Sequence, residues 1–154
     1  GGTAVGGGGV VSLLGVWRAN GIDRILAEAH RRGIVLCGLS AGSLCWFAES
    51  VSAFHGPAEQ VHGLGLLPHS NCVHYDGEPT RRTAYHRLIG EGMCPGYAAD
   101  DGAALHFVGN DLERVVASRA GKQGYRVARV GGQVVETPLP TTDLGAPVPI
   151  TLAA

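Results

Sequence analysis

The feature that most constrains this chain is Gly38-Leu39-Ser40-Ala41-Gly42, which lies between a continuous apolar run at 34–37 and a predicted helix at 43–49. The apolar run is typical of a strand buried on both faces of a parallel sheet. A Gly-x-Ser-x-Gly sequence in this setting is the pattern of a nucleophile elbow, a strained turn that presents a serine hydroxyl. The pattern predicts that Ser40 is a nucleophile. The alternative is a small-residue turn in which Ser40 only caps the helix.

A serine nucleophile needs a general base, and the base needs a carboxylate that orients it. Of the seven histidines, we favour His74, which ends a short apolar strand, because open α/β sheets hold their sites at such strand ends. The alternative is a histidine that bonds only to local backbone. Asp101 follows the apolar strand predicted at 97–99 and is the preferred carboxylate, with Asp100 as the alternative. Asp76 is too close in sequence to His74 to face it easily.

The negative oxygen that forms during attack on a carbonyl needs amide donors. The helix that follows Ser40 brings the N–H of Ala41 near that oxygen. A run of four glycines at 6–9 follows a short apolar strand and can turn N–H groups toward an anion. It lacks the features of a P-loop or of a dinucleotide fingerprint. We therefore expect Gly8 to be the second donor, with a close-packed turn as the alternative.

Composition excludes several classes of function. The chain has 154 residues, a net charge of -1 and no basic run, which argues against nucleic acid as a partner. No stretch approaches the ~20 apolar residues of a membrane helix, and no signal peptide is visible. The four cysteines are scattered, which favours reduced thiols in a cytoplasmic protein over disulfides. The group His62, His69, Cys72 and His74 matches no zinc spacing, so we expect neither metal nor cofactor.

The order of predicted elements indicates an α/β sandwich with a mainly parallel sheet. Helices are predicted at 10–20, 22–32 and 80–91, and a hairpin joins strands at 125–130 and 133–137. We expect one domain over 1–137 and a proline-rich, extended or frayed tail over 138–154. A doubly wound sheet normally has further βα units before such a glycine loop. We therefore expect that these units are missing from the chain or are supplied by another chain, a second copy or a complementing N-terminal one.

An ordered set of motifs between Val5 and about Arg129 resembles the dipeptidase E (aspartyl dipeptidase) and cyanophycinase family of serine peptidases. The set comprises Val5-Gly6-Gly7-Gly8 leading into Leu13-Leu14, Gly38–Gly42, Gly63-Leu64-Gly65-Leu66-Leu67-Pro68, His74-Tyr75-Asp76, Arg81-Arg82, and Asp101-Gly102-Ala103-Ala104-Leu105.

The resemblance implies a three-layer αβα fold similar to class I glutamine amidotransferases and a Ser-His-Glu/Asp triad. Ser40, His74 and Asp101 then match the triad, and Gly8 and Ala41 match the oxyanion-hole amides. Arg81 or Arg82 falls in the region where aspartyl dipeptidases hold an arginine that faces the substrate's N-terminal Asp. A solvated basic helix face is the alternative. The family usually reads Gly-Gly-Gly-Asn where this chain has Gly9.

The sequence therefore predicts a cytoplasmic serine exopeptidase that hydrolyses short peptides, with Asp-Xaa dipeptides as the substrates that the resemblance implies. One alternative is another acyl hydrolase, either an esterase or a cyanophycinase-like enzyme. The other alternative is a catalytically inactive homologue that acts in binding or assembly.

Overall fold

A computed structural model describes residues 1–145 and has four helices and eleven strands in that range. The helices are α1 (Val10–Asn20), α2 (Ile22–Arg31), α3 (Ala41–Leu44) and α4 (Arg81–Glu91). The strands are β1 (Gly2–Val5), β2 (Val35–Gly38), β3 (Phe47–Ser52), β4 (Glu59–His62), β5 (Leu67–Cys72), β6 (Gly96–Ala99), β7 (Ala103–Val108), β8 (Asp111–Ala117), β9 (Gly124–Val130), β10 (Gln133–Pro138) and β11 (Thr141–Asp143).

The largest sheet has six strands in the order β10-β9-β6-β5-β3-β4. Its centre, β3, β5 and β6, is parallel, whereas β4, β9 and β10 pair antiparallel with their neighbours. The prediction of an α/β fold is confirmed, but a mainly parallel sheet is not. The hairpin between β9 and β10 is one reason: Gly131 and Gly132 both have positive φ, which suits a tight reversal into an antiparallel neighbour.

The strand β2 was expected to be buried on both faces, and this expectation is wrong for the described residues. Leu36 packs against a core cluster, but Val35 is 64% exposed and Cys37 is exposed. Within residues 1–145, β2 pairs in parallel with β1 alone. An apolar run favours burial, but each face of a strand is buried only where another element covers that face. Elements within residues 1–145 cover only one face of β2.

The helix predicted at 43–49 is also wrong, because α3 is a single turn that ends at Leu44. The chain then enters β3, which pairs with both β4 and β5. Cys45, Trp46 and Phe47 are buried at this junction. Bulky aromatic side chains such as these fit a pleated strand surface well, and pairing on both sides outweighs the local helical pattern.

The C-terminal segment is more ordered than expected in its described part. Residues 141–143 form β11, which pairs in parallel with β8 at the edge of a three-stranded sheet. The nearby prolines are compatible with this place because an edge strand can spare an N–H. The rest of the predicted tail, residues 146–154, lies outside the described residues.

The parallel centre of the sheet sets the position of the site. His74 follows the end of β5, and Asp101 follows the end of β6, the parallel neighbour of β5. Ser40 follows the end of β2. Two core clusters support this edge. One packs α4 against the six-stranded sheet through Tyr85 and Ile89, and the other surrounds α1 and α3 through Val10 and Leu44.

No helix within residues 1–145 has the length and apolar character needed to cross a membrane.

The close packing at the elbow gives a stability prediction. A Cβ on Gly42 would lie 2.1 Å from the carbonyl oxygen of Val5, and backbone atoms move aside less easily than side chains. Gly42→Ala should therefore lower the free energy of unfolding by about 3 kcal/mol, the upper end of ordinary overpacking. Urea denaturation measures the change.

Gly15→Ala provides the matched control. Gly15 lies within α1, and a Cβ there would meet nothing within 4 Å, so the change should stabilise the chain by up to about 1 kcal/mol. Equal effects of the two substitutions would contradict the close contact at Gly42.

Candidate active site

Ser40, His74 and Asp101 form one hydrogen-bonded series. The Oγ of Ser40 lies 3.0 Å from Nε2 of His74, and Nδ1 of His74 lies 2.7 Å from Oδ1 of Asp101. An ionised carboxylate only accepts hydrogen bonds, so Nδ1 carries the ring proton and Nε2 is left to accept the hydroxyl proton. The side chains of His74 and Asp101 are 35% and 43% exposed, respectively. The series is therefore accessible from solvent.

The turn that holds Ser40 is strained and tightly packed. Ser40 has φ 53° and ψ −121°, a conformation that a non-glycine residue adopts only where its surroundings enforce it. A Cβ on Gly38 would lie 2.1 Å from the carbonyl oxygen of Gly42 and 2.9 Å from that of Val5. Glycine at both ends of the elbow therefore lets β1 lie directly against it, and the N–H of Leu39 donates to Val5 O at 3.1 Å.

His74 also has a positive φ, 55°, and its neighbours hold it there. The N–H of Tyr75 donates to the carbonyl of Ala99, which continues the bonding between β5 and β6 beyond the strand ends. The N–H of Glu78 donates to the carbonyl of His74 at 3.1 Å and closes a turn. Tyr75 is 2% exposed and its hydroxyl donates to Glu136. These contacts fix the backbone at His74 and in the turn that follows it.

Asp76 and Lys122 hold the loop that carries Asp101, a role that sequence reasoning missed. Oδ1 of Asp76 accepts the N–H of Asp101 at 2.8 Å, and its Oδ2 pairs with Lys122. Partial burial tends to raise the pKa of Asp76, but the hydrogen bonds from Lys122 and from the Asp101 N–H outweigh it and lower that pKa. Asp76 therefore supports the hydrogen-bonded series through the backbone of Asp101 and, among the described residues, does not bond to the imidazole itself.

The alternative carboxylate, Asp100, lies away from His74. It is 6% exposed and accepts hydrogen bonds from the N–H of Gln123 and the hydroxyl of Tyr125. Burial raises the pKa of Asp100, although the bond from Gln123 opposes this. Of the two adjacent carboxylates, only Asp101 bonds to His74 in the described residues.

Asn71 ties together the elements that carry the series. Its side chain is fully buried; Oδ1 accepts from Ser43 in α3 at 3.2 Å, and Nδ2 donates to Tyr97 O in β6 at 3.1 Å. A buried polar group must be paired, and here its partners belong to the elbow helix and to the strand that precedes Asp101. The sequence gives little signal for this role, because Asn71 is one of three polar residues, with His69 and Ser70, in the short strand β5.

A cavity of about 360 Å³ opens beside Ser40 and His74. Gly8 and Ala41 are part of its lining, so the glycine loop and the first residue of α3 lie on the same cavity as the serine. As the first residue of a helix, Ala41 has an N–H that no intrahelical carbonyl can accept. Gly8 has φ 135°, a conformation suited to glycine.

The two adjacent arginines point to different surroundings. Arg81 is 4% exposed and lines the cavity, where its Nε and Nη2 both donate to Oε2 of Glu78. Arg82 instead stacks on the rings of Tyr75 and Tyr125 and pairs with Glu136. Arg82 is not part of the cavity lining. Sequence reasoning gave no indication that Glu78 would line the cavity and bind Arg81.

Gly9, the departure from the family pattern, lies against Phe54. A Cβ on Gly9 would come within 2.9 Å of the Phe54 ring, which is 60% exposed and lines the cavity. An asparagine at this position would require the ring to shift. The aromatic ring thus belongs to the same cavity wall as the glycine loop.

The chain is similar in sequence to known peptidases. A family model described as Peptidase family S51 matches residues 2–115. A Bacillus subtilis (strain 168) protein named uncharacterized peptidase YgaJ is 49% identical over 142 residues, which is 92% of this chain and 62% of that protein. The chain thus spans less than two thirds of this relative. The predicted resemblance to the dipeptidase E family is confirmed.

Shorter similarities reach a different group of proteins. Cobyric acid synthases of Bacteroides fragilis and Phocaeicola vulgatus are 34% and 32% identical over 83 residues. These matches cover 52% of this chain and only 16% of each synthase.

The low pKa of Asp76 gives a pH-dependent prediction. Because the folded-state pKa lies below the ordinary value of 3.8, the carboxylate contributes stability above about pH 4, and this contribution is lost as the pH falls through the folded-state pKa. Asp76→Asn should therefore cost about 0.5–1 kcal/mol at pH 6. The difference from the unaltered chain should shrink toward zero in strong acid. Urea titrations between pH 6 and 2.5 measure it, and a difference that stays constant over this range would contradict the ionic role.

The cysteines should differ sharply in reactivity. Burial raises the pKa of Cys45 to about 12, and burial and Glu49 raise that of Cys94 to about 12; burial also raises the pKa of Cys72. Only the thiolate is alkylated, so iodoacetamide at pH 8 should modify the exposed Cys37 and leave the other three until the chain is unfolded. Peptide mapping by mass spectrometry identifies the site. Early modification of Cys45 or Cys72 would be the contrary result.

Proposed function

The chain belongs to peptidase family S51, and on that basis we propose that it is a serine peptidase that hydrolyses short peptides through Ser40, His74 and Asp101. The observation that carries the proposal is the unbroken hydrogen-bonded series from the Ser40 hydroxyl to the Asp101 carboxylate at a solvent-accessible cavity. The activity, the substrates and the partners of the whole protein are all part of this proposal.

The proposed reaction begins when Nε2 of His74 takes the Ser40 proton and Oγ attacks the scissile carbonyl carbon. The tetrahedral intermediate collapses as His74 gives that proton to the leaving amine, the C–N bond breaks, and an acyl-enzyme remains. Water then loses a proton to His74, attacks the ester and releases the acid, and the proton returns to Oγ. Throughout, Asp101 holds the ring tautomer and stabilises the imidazolium.

We propose that the N–H groups of Gly8 and Ala41 bind the oxygen that becomes negative during both attacks. Both residues line the cavity beside Ser40. Such donors are worth about 3–4 kcal/mol each where they are fixed before the reaction begins. Because both donors are backbone groups, their positions depend on the β1 loop and on the elbow, and not on side-chain freedom.

Rates of hydrolysis of three test substrates distinguish the kinds of acyl hydrolase. A dipeptide with N-terminal Asp represents the dipeptidase activity, a β-aspartyl-arginine unit the cyanophycinase-like activity, and p-nitrophenyl acetate a simple esterase. We expect the dipeptide to be the best substrate. Turnover of the ester alone would contradict the peptidase proposal.

The decisive test is Ser40→Ala. Loss of the hydroxyl should abolish turnover and labelling by a fluorophosphonate probe, while the melting temperature stays within a few degrees because the hydroxyl is not part of the core. Ser12→Ala, on an exposed face of α1, is the matched control and should keep both activities. Hydrolysis retained in pure Ser40→Ala would remove Ser40 as the nucleophile, and a wild-type chain that is never labelled would favour a binding role.

A further inference from the structure

We propose that Glu78 binds the free α-ammonium group of the peptide substrate, so that the cavity selects peptides with an unblocked amino terminus. The inference rests on the proposed function, because it assigns a role to a residue in the same cavity. It differs from the role that the resemblance gives to Arg81, since it makes Arg81 the support of Glu78 and not a direct ligand of substrate.

The first argument is the state of Arg81. Its side chain is almost fully buried, and three of its donors are in use: Nε and Nη2 bond to Oε2 of Glu78, and Nη1 bonds to Val51 O at 3.1 Å. A substrate carboxylate would have to compete with Glu78 for this guanidinium. Among the described residues that line the cavity, Arg81 is the sole arginine or lysine, so a substrate anion meets no unpaired guanidinium or ammonium group there.

The second argument is the state of Glu78. Both Arg81 bonds go to Oε2, and within residues 1–145 no protein hydrogen bond is made to Oε1. The Glu78 side chain is 43% exposed and lines the cavity. A half-exposed carboxylate that a buried arginine holds through one oxygen, and whose other oxygen makes no protein hydrogen bond among the described residues, is a preorganised acceptor for an ammonium group.

The third argument is proximity to the nucleophile. The N–H of Glu78 donates to the carbonyl of His74, so the backbone of Glu78 is tied to that of the base. In a peptide, one carbon atom separates the terminal amine from the first carbonyl carbon. A small cavity that holds both Glu78 and Ser40 can therefore engage the amine while Ser40 attacks that carbonyl.

The charge distribution around the site points the same way. Two carboxylates near His74, those of Glu78 and Asp101, are each 43% exposed, whereas the Arg81 guanidinium is covered and the nearby Lys122 ammonium is paired with Asp76. Solvent-exposed charges therefore favour an approaching cation. The chemical class that fits is a peptide with a protonated amino terminus and no requirement for an acidic first side chain.

The test measures kcat/KM for the cleavage of Ala-Leu, Asp-Leu and their N-acetylated forms. Each peptide is given to the unaltered chain and to the Glu78→Gln variant. We expect the unaltered chain to cleave the free peptides about 10- to 100-fold better than the acetylated ones, the range of one charge-assisted hydrogen bond. Glu78→Gln should bring that ratio close to one, mainly through a higher KM for the free peptides.

Two measurements separate the possible failures. Fluorophosphonate carries no ammonium group, so Glu78→Gln should be labelled at Ser40 at the rate of the unaltered chain, which shows that the triad is intact. Glu91→Gln is the matched control because Glu91 also pairs with an arginine of α4, Arg87, but lies outside the cavity. It should leave the ratio unchanged.

An unchanged ratio in Glu78→Gln, with labelling intact, would overturn the role of Glu78 and leave the proposed function standing. A preference for Asp-Leu over Ala-Leu that survives Glu78→Gln would assign Arg81 to the substrate and overturn the inference in the same way. A wild-type chain that neither reacts with the probe nor cleaves any peptide would overturn the proposed function, and the inference with it.

Discussion

The close approach of β1 to the elbow is the contact on which the rest of the site depends. A Cβ on Gly42 would lie 2.1 Å from Val5 O, and a Cβ on Gly38 would lie 2.9 Å from it, so the turn closes only with glycine at both positions. That packing holds Ser40 at φ 53°, a conformation an isolated chain would rarely keep. It also brings the glycine loop that follows β1 next to the serine: a Cβ on Gly7 would lie 3.4 Å from the Ser40 Cβ. One backbone contact thus fixes both Ser40, the proposed nucleophile, and the loop proposed to carry an oxyanion donor.

Two polar groups, the buried Asn71 and the more exposed Asp76, then keep the side chains of Ser40, His74 and Asp101 in register. Asn71 connects the elbow helix to β6, and Asp76 connects the turn after His74 to the backbone of Asp101. Gly77 allows the carboxylate of Asp101 to lie close, since a Cβ there would come within 2.4 Å of its Oδ2. None of these groups needs to touch a substrate. They position Ser40, His74 and Asp101, because a series of hydrogen bonds works only where each partner is held at bonding distance.

Much of this could be predicted from local sequence. The helix at 10–20 has the predicted bounds, with Gly21 in the left-handed conformation that ends it, because both periodicity and capping act within a few residues. The short α3 and the strand β3 could not be predicted, because pairing with β4 and β5 depends on residues far along the chain. The exposed face of β2 was missed for the same reason: an apolar run does not say which element covers it. Glu78 carried no signal, since a lone glutamate in a turn is ordinary until the arginine that binds it is known.

By itself the sequence determined the elbow, since Gly-x-Ser-x-Gly between an apolar strand and a small-residue turn has few ways to fold, and it identified His74 and Asp101 as residues at strand ends. Only the tertiary structure decided which carboxylate faces the imidazole, which arginine enters the cavity and what that arginine holds. The physical reason is the separation along the chain between the residues that interact. Turns and periodicity are set by neighbours in the chain, whereas the packing of β1 that holds Ser40 in its strained conformation, and the hydrogen bonds between Asp101 and His74 or between Asn71 and Tyr97, exist only once separate strands lie side by side.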